Sequence, residues 1–289
     1  MRQRQRLLVV GGSGELGQQV VRAAHVAGYA VHATYLTRAA PLTCAGWHAL
    51  DVTDRAAVFG LVERLKPTSI LHCAVSDRSR PTSGPHASLG ECIVAGGRHV
   101  AEAAVQVAAR CVMLSTDLVF DGRRGNYSEA DPPNPIMPYG QAKADMERVV
   151  LGLQANIVVV RTSLLLTMQP MGRHIAWIVN TLRRGERLNL FTDELRCPVW
   201  SDQLALALLE LSEHDYCGLL HVAGPEVMHR YALGLQLARA YGLDVSLIQP
   251  ALSAESGLNR PLDCSLNCER AYRMLKTRFD TVADRLAGL

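Results

Sequence analysis

Leu7-Leu8-Val9-Val10-Gly11-Gly12-Ser13-Gly14-Glu15-Leu16-Gly17 is an apolar run that empties into glycines and then into a helical pattern. Four consecutive aliphatics fit a strand covered on both faces, as in a parallel sheet packed between helices. The three spaced glycines have separate tasks. Gly11 permits the tight turn out of the strand, Gly14 lets backbone approach a pyrophosphate, and Gly17 lets the following helix pack close to the sheet. A helix over residues 15–27 then aims its free N–H groups and its positive dipole end at phosphates. Gly11, Ser13, Gly14, Glu15, Leu16 and Gly17 are therefore read as a dinucleotide cradle, with an ordinary glycine turn between strand and helix as the alternative.

The usual dinucleotide fingerprint is G-x-G-x-x-G, whereas this chain has G-x-x-G-x-x-G at positions 11, 14 and 17. That spacing resembles the short-chain dehydrogenase/reductase superfamily. Composition sets the outer limits. The 289 residues are 48% hydrophobic, enough for one large core or two smaller ones, and the formal charge is only +3. No basic surface for nucleic acid is expected, because clusters such as Arg123-Arg124 and Arg183-Arg184 are short enough to be solvated faces. The eight cysteines form no C-x-x-C pair and several sit in apolar strands, which fits a reducing cytoplasm. The basic start Met1-Arg2-Gln3-Arg4-Gln5-Arg6 runs straight into the glycine motif, so no signal peptide is expected. No run approaches the ~20 apolar residues of a membrane span.

Beyond the first helix, strands are expected over residues 30–35, 69–74, 111–115, 158–160 and 218–222. Helices are expected over 87–110, 172–184, 201–211, 231–241 and 268–275. Strand and helix alternate without hairpin signals, which predicts a doubly wound parallel α/β sheet of Rossmann type. A dinucleotide-binding domain is expected over 1–165. A smaller substrate-binding lobe is expected over 166–289, interleaved through segments that return to the nucleotide core; Pro170, Gly172 and Pro198 mark crossings. Ligands bind beyond the carboxyl ends of strands in such sheets. That rule points to residues 74–77 and to Ser115-Thr116-Asp117 as well as to the glycines. Cys73, Ala74, Val75 and Ser115 are assigned to the cofactor, and Ser76 and Asp117 to the substrate, Asp117 being read equally as a strand-end turn residue. No Asp or Glu follows the second strand, so Thr37 and Arg38 are read as a seat for a 2′-phosphate, which favours NADPH over NADH. A solvated loop arginine is the alternative.

The chemistry is legible at Tyr139-Gly140-Gln141-Ala142-Lys143. Prolines up to Pro138 forbid an earlier helix start, so Tyr139 and Lys143 share one face of a helix, one turn apart. A phenol titrates near ~10 in water. A neighbouring ammonium favours the phenolate, and the Thr116 hydroxyl can hold a substrate oxygen in the same group. Only three of the thirty basic residues are lysine, at positions 66, 143 and 276, so Lys143 is an informative exception in a chain that defaults to arginine. Its compact ammonium can bridge a ribose and a phenol where a planar guanidinium would not fit.

Ser115-Thr-Asp-Leu-Val-Phe-Asp-Gly122, followed after a proline-rich loop by Tyr139-Gly-Gln-Ala-Lys143, resembles the dTDP-4-dehydrorhamnose reductase branch of the extended short-chain dehydrogenases. Arg161-Thr-Ser-Leu164, Phe191-Thr-Asp-Glu-Leu-Arg-Cys-Pro198, Leu220-His-Val-Ala-Gly224 and Arg260-Pro-Leu-Asp-Cys-Ser-Leu266 are similar to later segments of that branch. The resemblance implies Thr116, Tyr139 and Lys143 as a catalytic trio, an adenine contact at Asp51 and Val52, and a substrate region after about residue 165. Asp51 and Val52 are read equally as a helix-capping turn. Leu118, Ile93 and His72 depart from the branch, where tyrosine or asparagine is usual, which implies an altered pocket.

Arg161, Arg196 and Arg260 are candidate clamps for a substrate diphosphate, with ordinary ion pairs as the alternative. His221 in an apolar strand reads as a core histidine ahead of a base, and Cys264 and Cys268 lack the further ligands of a zinc site, so no metal is expected. The expected activity is NADPH-dependent reduction of a keto group on a nucleotide-linked sugar or related small molecule, by a chain able to pair as a homodimer. An epimerase or dehydratase holding NAD tightly, and a non-catalytic subunit like the methionine adenosyltransferase regulatory subunit, are the alternatives.

Overall fold

The glycine motif sits where the chain leaves strand β1 (Arg6–Val10), whose last four residues are buried, in a computed structural model that describes residues 5–75 and 89–289. The first half continues as α1 (Glu15–Val26), β2 (Ala30–Tyr35), β3 (Gly46–Ala49), α2 (Arg55–Leu65), β4 (Ser69–His72), α3 (Leu89–Gln106), β5 (Arg110–Thr116), α4 (Pro138–Leu151) and β6 (Ile157–Thr162). Local chemistry sets these boundaries. The Asp54 carboxylate caps α2 by accepting from the Ala57 amide at 3.0 Å, and Pro138 stands at the start of α4, where its fixed φ suits a first turn.

The second half contains β7 (Leu165–Leu166), α5 (Arg173–Arg183), β8 (Leu188–Phe191), β9 (Leu195–Arg196), β10 (Val199–Trp200), α6 (Ser201–Ser212), β11 (Gly218–His221), β12 (Met228–His229), α7 (Arg230–Ala240), β13 (Ile248–Ala251), α8 (Glu269–Met274) and α9 (Val282–Leu286). The main sheet has seven strands in the order β11-β6-β5-β4-β1-β2-β3, all parallel. The doubly wound expectation therefore holds. β1 has its sequence neighbour β2 on one side and β4 on the other, so the strand order reverses there and a crevice opens beyond its carboxyl end.

Both faces of the sheet are covered. Val9, Leu71, Val112 and Val158 point to the side closed by α1 and α6, whereas Leu8, Ile70, Met113 and Val159 point to the side closed by α2, α3 and α4. Each fully buried aliphatic of this kind contributes about 1.5–3 kcal/mol relative to exposure. A separate core joins α5, α7 and α9 around Leu166, Ile175, Leu190, Trp200, Leu237 and Val282. The chain alternates between these cores, since α6 packs on the nucleotide side and β11 closes the edge of the main sheet beside β6. Among the described residues no helix is long and apolar enough to cross a membrane.

Candidate active site

The cradle is built by close approach. Gly11 has φ +81°, and a Cβ there would lie 2.5 Å from the backbone of Ala74; a Cβ on Gly17 would lie 2.1 Å from the Gly11 carbonyl oxygen. Side chains at either place would drive β1, β4 and α1 apart. No side chain caps α1, and the first bond into its turn runs from the Gln18 amide to the Gly14 carbonyl at 2.9 Å. The opening N–H groups of α1 are thus aimed past Gly14 into the crevice, the arrangement that receives a phosphate. These residues fit a dinucleotide.

The other cofactor-side candidates occupy the rim. Thr37 and Arg38 are exposed just past the carboxyl end of β2. Asp51 spends one carboxylate oxygen on the Thr53 amide at 2.9 Å and the Thr53 hydroxyl at 2.7 Å, a local turn, and Val52 packs where a Cβ on Gly96 would lie 2.6 Å away. Cys73, Ala74 and Val75 follow β4 against the glycine turn, with Val75 exposed. Ser76 and the neighbouring Asp77 lie outside the described residues. Glu15 accepts from the Thr167 hydroxyl at 2.6 Å and from the Arg173 amide at 3.3 Å, one bond on each carboxylate oxygen.

The expected trio is brought to one end of the sheet. Thr116 ends β5, and a 3-10 turn over Asp117–Val119 follows it. A Cβ on Gly140 would lie only 1.9 Å from the Leu118 carbonyl oxygen, so the glycine next to Tyr139 lets α4 press directly on that turn. The half-buried Tyr139 therefore stands over the end of β5. Lys143, one turn on, is 2% exposed and donates to the Leu114 carbonyl at 2.8 Å. Burial pulls its ammonium down to about 8, while Glu147 opposes the shift. The Thr116 hydroxyl donates to Asp117 at 3.1 Å, and Asp117 also accepts from Ser163 at 2.6 Å and approaches Arg196 at 3.6 Å. Asp117 is 4% exposed, which makes it an internal partner of Thr116.

The arginines divide by access. The strand expected over 158–160 extends through Thr162, so Arg161 lies inside it, fully buried, with Nη2 2.7 Å and Nε 3.0 and 3.1 Å from the Glu147 carboxylate. The clamp expected at Arg161 is corrected on this ground: a sealed, neutralised guanidinium has nothing left for a diphosphate. Arg196 is 2% exposed and donates to the carbonyls of Leu195, Leu262 and Pro261 at 2.7–2.9 Å. Arg260 pairs with the buried Glu194 but keeps 30% of its side chain exposed. Arg230, which the sequence did not single out, begins α7 and approaches Glu194 at 3.6 Å. Burial and then the neighbouring Arg196 pull it down to about 10.

Of the departures from the family pattern, Leu118 is half-buried in the turn after β5 and the other two fall in the interior. Ile93 packs in the core on the α3 side, and His72 is buried with its Nδ1 atom unpartnered among the described residues. Burial and then the Lys143 charge push His72 down to about 3, so the imidazole is neutral at physiological pH. His221 is a core histidine, with Nδ1 3.0 Å from the Tyr127 carbonyl oxygen. Among the described residues no three His, Cys, Asp or Glu side chains are grouped to hold a metal.

The RmlD substrate binding domain model matches residues 5–287. The chain belongs to that family, within the extended short-chain dehydrogenase/reductases. It is 32% identical to a dTDP-4-keto-6-deoxy-D-glucose reductase of Streptomyces niveus, over 86% of this chain and 83% of that protein. Identity is 29% with a probable low-salt glycan biosynthesis reductase of Haloferax volcanii, over 97% and 96% of the two chains. It is 27% with methionine adenosyltransferase 2 subunit beta of Xenopus laevis, over 93% and 82%. Among solved structures, a hypothetical dTDP-4-dehydrorhamnose reductase from Sulfolobus tokodaii superposes with a TM-score of 0.84 at 29% identity, covering 98% and 99% of the chains. A dTDP-4-dehydrorhamnose reductase from Bacillus anthracis in complex with NADP gives 0.83 at 22% identity, covering 99% and 98%. The class expected from the glycine cradle and the Tyr139–Lys143 pair, an NAD(P)-dependent oxidoreductase, is thus the class of this family.

Proposed function

We propose that this chain uses NADPH to reduce a keto group on a nucleotide-linked sugar. The observation that carries the reading is the placement of Tyr139, Lys143 and Thr116 at the carboxyl end of β5, next to the crevice that the glycine turn opens beside β1. A nicotinamide bound there would supply the hydride. Tyr139 gives its proton to the oxygen as the carbonyl becomes an alkoxide, Lys143 lowers the cost of the phenolate left behind, and Thr116 orients the carbonyl. The exposed Thr37 and Arg38 receive the 2′-phosphate that distinguishes NADPH from NADH. Arg260 and Arg230, whose side chains keep 30% and 21% of their surface exposed, take over the diphosphate role from Arg161 and Arg196. Eight free cysteines agree with residence in a reducing cytoplasm.

The test is NADPH oxidation with a panel of nucleotide 4-keto sugars. Tyr139→Phe is expected to lower kcat about a thousandfold while the Kd for NADPH stays within a few-fold. Full turnover by that variant overturns the assignment of the acid. The similarity to the methionine adenosyltransferase subunit favours a second reading, a regulatory partner without its own turnover. Stable co-purification with a methionine adenosyltransferase catalytic chain, together with no NADPH oxidation across the panel, selects it.

A further inference from the structure

The helix that carries Tyr139 and Lys143 has a third inward residue at the same spacing. Glu147 is 2% exposed and lies one turn beyond Lys143 on the same face of α4. Its carboxylate is shared by two neighbouring strands. Arg161 of β6 donates to it from both Nε and Nη2, and the Ser115 hydroxyl of β5 donates to the same Oε1. Ser115 is the residue immediately before Thr116. One buried carboxylate therefore fastens the phenol-bearing helix to the strand that ends in the hydroxyl.

The charges around Lys143 give the carboxylate a second role. From β5 the ammonium meets the Leu114 carbonyl. From β4 it meets His72, which is neutral at physiological pH, and Cys73, whose thiol burial pushes up to about 12. Behind Glu147 stand Arg161, also cationic, and the neutral His221, whose Nε2 lies 3.4 Å from Arg161 Nη1. Among the described residues Glu147 is the carboxylate whose charge acts on the ammonium. A buried lysine without a counter-charge releases its proton readily.

We propose that Glu147 is a positioning residue of the candidate site: it holds the Tyr139–Lys143 face of α4 against the end of β5 and places a negative charge one helical turn from the Lys143 ammonium. The inference rests on the reductase reading. It adds a residue that touches neither substrate nor cofactor and acts through Lys143 and Ser115. Arg161 completes it, because a lone carboxylate at that depth would itself be driven to protonate.

The test compares wild type with Glu147→Gln and Glu147→Asp, following NADPH oxidation from about pH 6 to about pH 10, with thermal melting as the check on folding. Removing the charge is expected to move the alkaline limb of kcat about one pH unit lower, a tenfold easier proton loss from Lys143. Glu147→Asp keeps the charge on a shorter arm. Its limb should stay with wild type while kcat falls several-fold, which separates charge from placement. A Glu147→Gln protein that melts like wild type with an unmoved limb overturns the inference. Should the single variant fail to fold around a bare Arg161, the pair Glu147→Gln with Arg161→Met removes both charges. A smaller downward movement is then expected, because the Arg161 cation that opposes Glu147 is lost with it, and an unmoved limb is equally fatal. Wild type that neither binds nor oxidises NADPH sinks the reductase reading and this inference together, whereas an active wild type with unmoved variants sinks the inference alone.

Discussion

Two clusters of buried charge among the described residues are built in opposite ways. The one under Tyr139 comes from a single helix, with Lys143 and Glu147 at four-residue spacing, and is completed by Ser115 and Arg161 from adjacent strands. The one in the lobe collects Asp117, Glu194, Arg196, Arg230 and Arg260 from segments far apart in the chain. The first is closed by short hydrogen bonds. The second sets three guanidinium groups against two carboxylates, and Arg230 approaches Glu194 at 3.6 Å with Asp117 as a further attraction. Each cluster holds one cation more than its carboxylates, and access separates them. The first is sealed and sets geometry, whereas in the second Arg260 and Arg230 keep 30% and 21% of their side chains exposed, which leaves attraction for an anionic ligand.

The sharpest blow to the lobe cluster is Glu194→Ala. It strands Arg260 and Arg230 without their carboxylate, and an unfolding free energy lower by about 4 kcal/mol is expected in urea titration. NADPH binding at the distant cradle should persist. A loss under 1 kcal/mol would mean that water already supports these arginines, and the contrast between the clusters would shrink.

Lys143→Met probes the helical cluster in the other direction. The folded protein holds this proton more weakly than the unfolded chain does, at about 8 against 10.5, so below about pH 8 the ammonium is carried at a cost. That cost fades as pH rises from 8 toward 10.5. Near neutral pH the methionine variant is therefore expected to be more stable by about 3 kcal/mol and inactive. A destabilised variant would show that the bond to Leu114 and the attraction of Glu147 outweigh desolvation.

His72→Asn gives the smallest expected change. The unfolded chain takes up a proton at this residue from about pH 6.5 downward, whereas the folded state resists until about 3. Stability is thus expected to fall with acidification across that window by about 1.4 kcal/mol per pH unit from this residue. At about pH 5 the asparagine variant should retain about 2 kcal/mol that wild type loses. Parallel pH profiles for the two proteins would remove His72 from the account.

The same contrast explains what could be read from the sequence. The spacing of the glycines and of the Tyr139–Lys143 pair is set along a short stretch of chain, so both patterns were legible in the sequence. Glu147 continued that spacing and was the available signal for the counter-charge. Arg161 was misjudged because an arginine after Ile157-Val-Val-Val160 looks like a strand end, and only the partner on α4 draws it inside. Arg230 and Glu194 carried no local signal at all, since their meaning arises when α7, β9 and the segment around Arg260 converge. The short strands β7 to β10, β12 and β13 were missed for a related reason. Runs of two to four residues carry no periodicity, and their partners lie elsewhere in the chain.

The return of residues 199–221 to the nucleotide side has a practical consequence for anyone grafting specificity between relatives. A splice at residue 165 would leave β6 as an open border, able to recruit strands from other chains, and would strip α1 of the helix that shields it. A workable chimera needs at least two junctions, so that α6 and β11 travel with the cradle they enclose and only the flanking lobe is exchanged.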